Sequence, residues 1–167
     1  MSATRNSQVL GPADGERVDL RGLGVRFMIG AETAGGGFSL VEHPIAPRSL
    51  AAPLHRHANE DEYSYVLEGR VGVQVGDETL EAGPGELVLK PRGQWHAFWN
   101  PGDEPARLLE IISPGGFEKY FEEIAPLLPP AREEPDFETL AQVQARYGLE
   151  MDVDSIGPLM ERHGLTA

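Results

Sequence analysis

Cysteine is absent from the 167 residues, which excludes a disulfide framework, thiolate nucleophiles, iron–sulfur clusters and cysteine-type zinc sites. Any metal has to sit on histidine and carboxylate. Positive charge is scarce: 14 Lys and Arg stand against 27 Asp and Glu, a net charge of −13. Such a surface repels a phosphate backbone and an anionic membrane alike, so neither nucleic acid nor membrane is an expected partner. No apolar run approaches the roughly 18 residues of a membrane span, and the opening MSATRNSQVLGP has no continuous apolar segment of the signal-peptide kind. The cytoplasm is the expected location. Aromatic residues make up only 7%, whereas 20 Gly and 14 Pro are many for this length and announce frequent turns and short strands. The length suits one domain with a single core, and hence one site.

The texture divides the chain in three. Residues 1–20 are polar and mixed, interrupted by Gly11, Pro12 and Gly15, and read as an N-terminal arm or first edge strand. From 21 to 114, short apolar runs such as VRFMI (25–29), EYSYVLE (62–68), ELVLK (86–90) and ARLLEII (106–112) alternate with Gly/Pro turns. Strands spaced this closely predict an all-β core, an antiparallel sandwich or small barrel. Past Ser113-Pro114-Gly115-Gly116 the period changes. Phe117, Tyr120, Phe121 and Ile124 fall on one helical stripe, Pro126, Pro129 and Pro130 end it, and helical stretches follow at 136–147 and 155–163, so 115–167 reads as a C-terminal helical extension. Gly164 is a fitting stop for the last of these.

Three of the five histidines lie in two spaced motifs. His55 and His57 are two apart, and on a strand they point to the same face, where they can grip one ion together. A turn at Ala58-Asn59-Glu60-Asp61 brings Glu62 back beside them, with Ser64 and Val66 on its face and Tyr63, Tyr65 and Leu67 opposite. His96 follows a Pro91-x-Gly93 turn.

At these residues the chain resembles the cupin superfamily, whose first motif carries Gly, His-x-His, Glu and Gly, and whose second carries Gly, Pro-x-Gly, His and Asn. Gly85, Pro91, Gly93, His96 and Asn100 match every fixed position of the second. With the chain's own residue frequencies a chance match has odds on the order of 10⁻⁴. His55, His57, Glu62 and Gly69 match the first, but its opening Gly is Ser49, a departure that touches a turn and no ligand. The resemblance implies a double-stranded β-helix, or jelly-roll, barrel over 21–114, with one divalent metal held by His55, His57, Glu62 and His96. Three imidazoles and one carboxylate accept Fe, Mn, Ni, Co or Zn, and four protein ligands leave an octahedral metal open positions for a substrate or O₂.

A helix directly after the barrel and a polar tail are similar to the bacterial one-barrel cupins grouped with quercetin 2,3-dioxygenase. That similarity implies a metal-dependent dioxygenase acting on a small phenolic, flavonol-like molecule, with Glu62 as the catalytic base. The alternatives are a non-redox isomerase or cyclase using the metal as a Lewis acid, and a small-molecule-binding cupin; the acidic tail, with no basic helix-turn-helix, disfavours a regulator. Phe98, Met28, Phe38 and Leu40 are candidate substrate-pocket residues. His43 and His163 lie outside both motifs and are expected in surface or capping roles, and Gly35-Gly36-Gly37 in a loop. A homodimer is expected, its exposed sheet edges covered by the N-terminal arm and the Phe117–Ile124 stripe.

Overall fold

Residues 8–129, 133 and 135–166 are described in the computed structural model, so the first seven residues of the expected arm and Pro130 lie outside them. Eleven strands are present among these residues: β1 (Arg17–Asp19), β2 (Gly24–Ile29), β3 (Ser39–Ile45), β4 (Leu50–His57), β5 (Asp61–Glu68), β6 (Val71–Val75), β7 (Glu78–Ala82), β8 (Leu87–Lys90), β9 (His96–Trp99), β10 (Ala106–Ser113) and β11 (Leu149–Met151). They form a six-stranded sheet ordered β1-β2-β3-β10-β5-β8 and a five-stranded sheet ordered β11-β4-β9-β6-β7, with antiparallel pairing throughout. This is the jelly-roll barrel of the sequence reading. No helix among the described residues is long and apolar enough to cross a membrane.

Alternation places the core. Val66 and Leu108 on β5 and β10 turn inward to meet Val71, Val73 and Phe98 from the other sheet and close one end of the barrel. The other end is closed by helices. α1 (Ala31–Ala34) is a single turn ending on Gly35 in the left-handed conformation, and α2 (Glu118–Ile124), α3 (Phe137–Arg146) and α4 (Ile156–His163) follow the barrel. Phe117, Tyr120, Phe121 and Ile124 are all buried against Val25, Val41, Ile112 and Leu140. The stripe is thus spent inside its own subunit and does not cover a sheet edge. Asp136 caps α3 by accepting from the N–H groups of Glu138 and Thr139.

The segment after the barrel is more than a helical layer. β11 pairs with β4, setting Leu149 opposite His57 and Met151 opposite His55, and so widens the sheet that carries three candidate ligands, His55, His57 and His96. α4 covers the outer face of that sheet, where Leu159 and, just beyond the helix, Leu165 pack on Ala97 and Trp99.

Candidate metal centre

Local chemistry explains why the two motifs meet. β4 ends on His57, and β9 begins at His96, in register with His55. The turn between β8 and β9 needs a residue with positive φ, which Gly93 supplies at φ 75. Its N–H donates to the His57 carbonyl at 2.8 Å, so the second motif's turn is bonded to the first motif's strand. Arg92 closes the same junction, donating from its backbone N–H at 2.9 Å and its guanidinium at 2.7 Å to the Asp61 carboxylate. Asn100 is fully buried, donates to the Glu104 carbonyl and accepts from the Gly102 N–H, which fixes the exit of β9. Ser49 needs no glycine's freedom, because the left-handed residue of its turn is the preceding Arg48, at φ 52.

His55, His57, Glu62 and His96 converge: one ligand atom from each lies within 4.8 Å of the others, and all four residues are buried. The imidazoles are aimed. His55 Nδ1 donates to the Pro53 carbonyl at 2.7 Å and His96 Nδ1 to the Gln94 carbonyl at 3.1 Å, which turns each Nε2 inward, that of His96 lying 3.2 Å from Glu62 Oε2. His57 Nε2 is buried with no hydrogen-bond partner among the described residues, 3.5 Å from Glu62 Oε1. Its Nδ1 faces the buried Glu60 carboxylate at 3.7 Å. An orphaned buried imidazole beside a carboxylate and two pre-set Nε2 atoms suits a divalent metal ion. Burial, reinforced by His96 and His57, holds His55 well below the ordinary imidazole range, and burial lowers His96 as well, so these two imidazoles are neutral at physiological pH.

Behind Glu62 stands a second layer that the sequence reading missed. The Lys90 ammonium is buried between two carboxylates, 3.1 Å from Glu62 Oε2 and 2.8 Å from Glu110 Oε2, and 4.7 Å from the centre of the Phe98 ring. Burial alone would lower Lys90, but Glu110 and Glu62 outweigh it and raise it. Burial would likewise raise Glu62, yet Lys90 and the imidazoles outweigh it and keep the carboxyl well below its usual range. For Glu110 burial wins, pushing it up to about 7. Alternation carried a usable signal: Glu110 shares parity with the inward Leu108 and Ile112, and Lys90 with Val88.

The ligands His55, His57 and Glu62 open onto a cleft of about 1450 Å³ with largely apolar walls, among them Phe98, Phe117, Tyr120 and Phe121. Phe117 sits 4.4 Å from the His57 ring, edge to face. Of the four candidate pocket residues Phe98 lines this cleft, and Met28, Phe38 and Leu40 do not. Leu40 shares parity with Glu42 and Pro44, away from the inward Val41 and His43; Met28 falls in a register irregularity between Phe27 and Ile29; and Phe38 stands 37% exposed ahead of β3. His43, expected at the surface, is instead buried on the cleft wall, while His163 stacks on Trp99 at 4.0 Å.

A jelly-roll barrel carrying His-x-His and His on adjoining strands of one sheet and Glu on the other has the donor set of a metal-binding cupin. Residues 42–112 match the model of the Cupin domain family and form a cupin domain. The tetracenomycin polyketide synthase protein TcmJ of Streptomyces glaucescens is 38% identical over 60 residues, a match covering 36% of this chain and 40% of that protein. The polyketide cyclase RemF of Streptomyces resistomycificus superposes with a TM-score of 0.56 at 28% identity, over 65% of this chain and 80% of RemF. KdgF from Halomonas sp. superposes at 0.60 with 15% identity, over 68% and 99%, a likeness of fold.

Proposed function

We propose that this cupin is a metal-dependent enzyme that closes or isomerises rings in an aromatic, polyketide-like molecule. One observation carries the reading: a cleft large enough for a fused-ring substrate, walled by aromatic side chains, ends on His55, His57 and Glu62 of the four-residue donor group. The similarity to TcmJ and RemF supports the substrate class. When bound, the ion polarises a carbonyl oxygen as a Lewis acid. The protein's own residues do the rest. Glu62 takes a proton from the substrate's acidic C–H or O–H, since its carboxylate is the one anionic group among the four ligands. Phe98 and Phe117 exclude water and hold the ring system flat against the site.

The dioxygenase reading uses the same donors, and the dry cleft favours it equally, because a reactive oxygenated species needs protection from water. Incubating purified, metal-loaded protein with a panel of polyphenols and poly-oxo chains, under air and under nitrogen, separates the two. A cyclase gives products of unchanged mass or lighter by one water in both atmospheres, whereas a dioxygenase consumes O₂ and adds its mass. In either case Glu62→Gln keeps much of its metal and loses roughly 10²-fold in rate; full turnover would make Glu62 a ligand only.

The homodimer is proposed on a surface other than the one expected. Tyr63 and Tyr65 on β5 pair with Leu89 and Leu87 of the edge strand β8 and with Ile111 and Leu109 of β10, all on the outer face of the six-stranded sheet. Leu87 is 52% and Leu89 56% exposed. Charges at the rim are already paired, Arg92 with Asp61 and Arg107 with Glu42 and Glu68, so two copies of an acidic chain can meet there around a two-fold axis. Sedimentation should give a dimer mass, and Leu87→Lys with Leu89→Lys a monomer.

A further inference from the structure

Outside the ligand set, two buried polar atoms of cleft-lining residues, Glu110 Oε1 and Tyr120 Oη, have no hydrogen-bond partner among the described residues, and His43 stands on the same wall. Glu110 is 1% exposed; its Oε2 accepts from Ser64 Oγ–H and Lys90 Nζ–H, both at 2.8 Å, while Oε1 is buried and unpartnered. On the neighbouring strand His43 Nδ1 lies 2.8 Å from the Gly24 carbonyl, which can only accept, so the ring proton sits on Nδ1 and Nε2 carries a lone pair. The register sets Leu108 opposite His43 and Glu110 opposite Val41, which places the two groups two residues apart on adjacent strands of one cleft wall. Burial keeps His43 neutral, its pKa lowered to about 4, so Nε2 remains an acceptor at physiological pH.

The donor side of the inventory is uncharged: the Tyr120 hydroxyl is buried without a partner among the described residues, and the Gln144 amide donates to Met151 Sδ at 3.6 Å. Lys90 spends its ammonium on Glu110 and Glu62 and is not part of the cleft wall. Arg21, the cation among the described lining residues, donates to the carbonyls of Pro129 and Glu133. A ligand that fills this cleft therefore meets the Glu110 Oε1 acceptor, the His43 Nε2 lone pair and carboxylates, with the Tyr120 hydroxyl as an uncharged donor. An anionic ligand finds no free cation there among the described residues, and a ligand without O–H groups leaves the buried Glu110 Oε1 unpaired, a cost that discriminates strongly.

We infer that Glu110 Oε1 and His43 Nε2 form a hydroxyl-reading subsite, which selects a neutral substrate bearing at least two phenolic or enolic O–H groups. This rests on the reading above that the cleft takes a small organic substrate, and it narrows that substrate to a polyhydroxylated one. Glu110 and His43 touch the ligand away from the metal, so they set which molecule binds and how it lies.

The probes are quercetin, which carries several hydroxyls, flavone, which has the same ring frame and none, and oxalate as a compact anion. Affinity is measured by calorimetry at about pH 8, where the Glu110 carboxyl is ionised. Metal-loaded protein is titrated first. The same protein after metal removal is titrated second, so that chelation by quercetin no longer contributes. The expected result is a preference for quercetin over flavone of about tenfold or more in both forms, with oxalate weakest in the metal-free form. Glu110→Gln and His43→Phe should each reduce the ratio of quercetin affinity to flavone affinity. Should Glu110→Gln fail to fold once Lys90 loses its partner, His43→Phe carries the test. Equal binding of quercetin and flavone to the metal-free protein, or folded variants that keep the full preference, overturns the subsite. Turnover of a polyketide-like substrate with no such preference would sink the subsite alone. A preference without turnover of any panel member would sink the proposed activity alone.

Discussion

The two ends of the barrel use the same strands in opposite ways. At the closed end β5 and β10 follow the ordinary rule, turning Val66 and Leu108 inward, both fully buried. A few residues along, the same strands turn Glu62, Ser64 and Glu110 inward, joined by Lys90 from β8, and put Tyr65, Leu87 and Leu89 outside. The apolar end is held by contact and tolerates gradual loss. The polar end is held by pairing, so removing one partner strands the other, which makes it the costlier end to edit singly and the easier to edit in pairs.

That contrast can be broken at several points. The largest effect is expected for His96→Ala, which removes an imidazole from a four-ligand set: elemental analysis of the purified variant should find metal at background, with activity lost alongside. Next comes Lys90→Met. It leaves two buried carboxylates without their cation and should lower unfolding free energy by about 3–5 kcal/mol in denaturant titrations. Adding Glu110→Leu should recover a good part of that, whereas Leu108→Ala at the closed end, costing about 3 kcal/mol, has no single partner whose removal rescues it.

The smallest effect sharpens the comparison through pH. His43 stays neutral in the folded protein down to about 4 but takes a proton near 6.5 once unfolded. Acid therefore favours the unfolded chain across that window, and His43 withdraws up to about 3 kcal/mol of stability as pH falls from 6.5 to 4. In metal-free protein, His43→Phe should flatten the stability curve over that range by a similar amount. An unchanged slope would mean that His43 is solvated when folded.

Much of the centre was legible because each motif residue has a local reason to be where it is. Strand alternation puts His55 and His57 on one face, and a Pro-x-Gly turn aims His96. The helical stripe at Phe117–Ile124 was legible too, though not what it packs against, since periodicity reveals a face and never its partner. Lys90 and Glu110 escaped notice because LVLK and LLEII read as apolar runs with a stray charge, and here the charges point in and the leucines out. β11 is three residues long, too short for any pattern, and exists because β4 offers it an edge. Met28 and Leu40 lie off the cleft wall for different reasons: the register shift of the β2–β3 pair falls at Met28, whereas Leu40 sits in regular alternation on the face opposite Val41 and His43.

The bond from the Gly93 N–H to the His57 carbonyl, with the Arg92–Asp61 clamp beside it, joins the two motifs across space and bypasses the chain that connects them. That connecting chain is the β6–β7 hairpin, whose tip at Gly76 and Asp77 is exposed, with open space where a Gly76 side chain would stand, while the Gly76 N–H donates to the Trp95 carbonyl at 2.7 Å. Residues inserted after Asp77 keep that bond, lengthen the hairpin outward and leave the distance between His57 and His96 as it is, so the spacing between the motifs is a free parameter of this fold. A reporter peptide or a second domain could be spliced there with the ion's socket intact, which makes the hairpin tip the natural port for engineering this barrel.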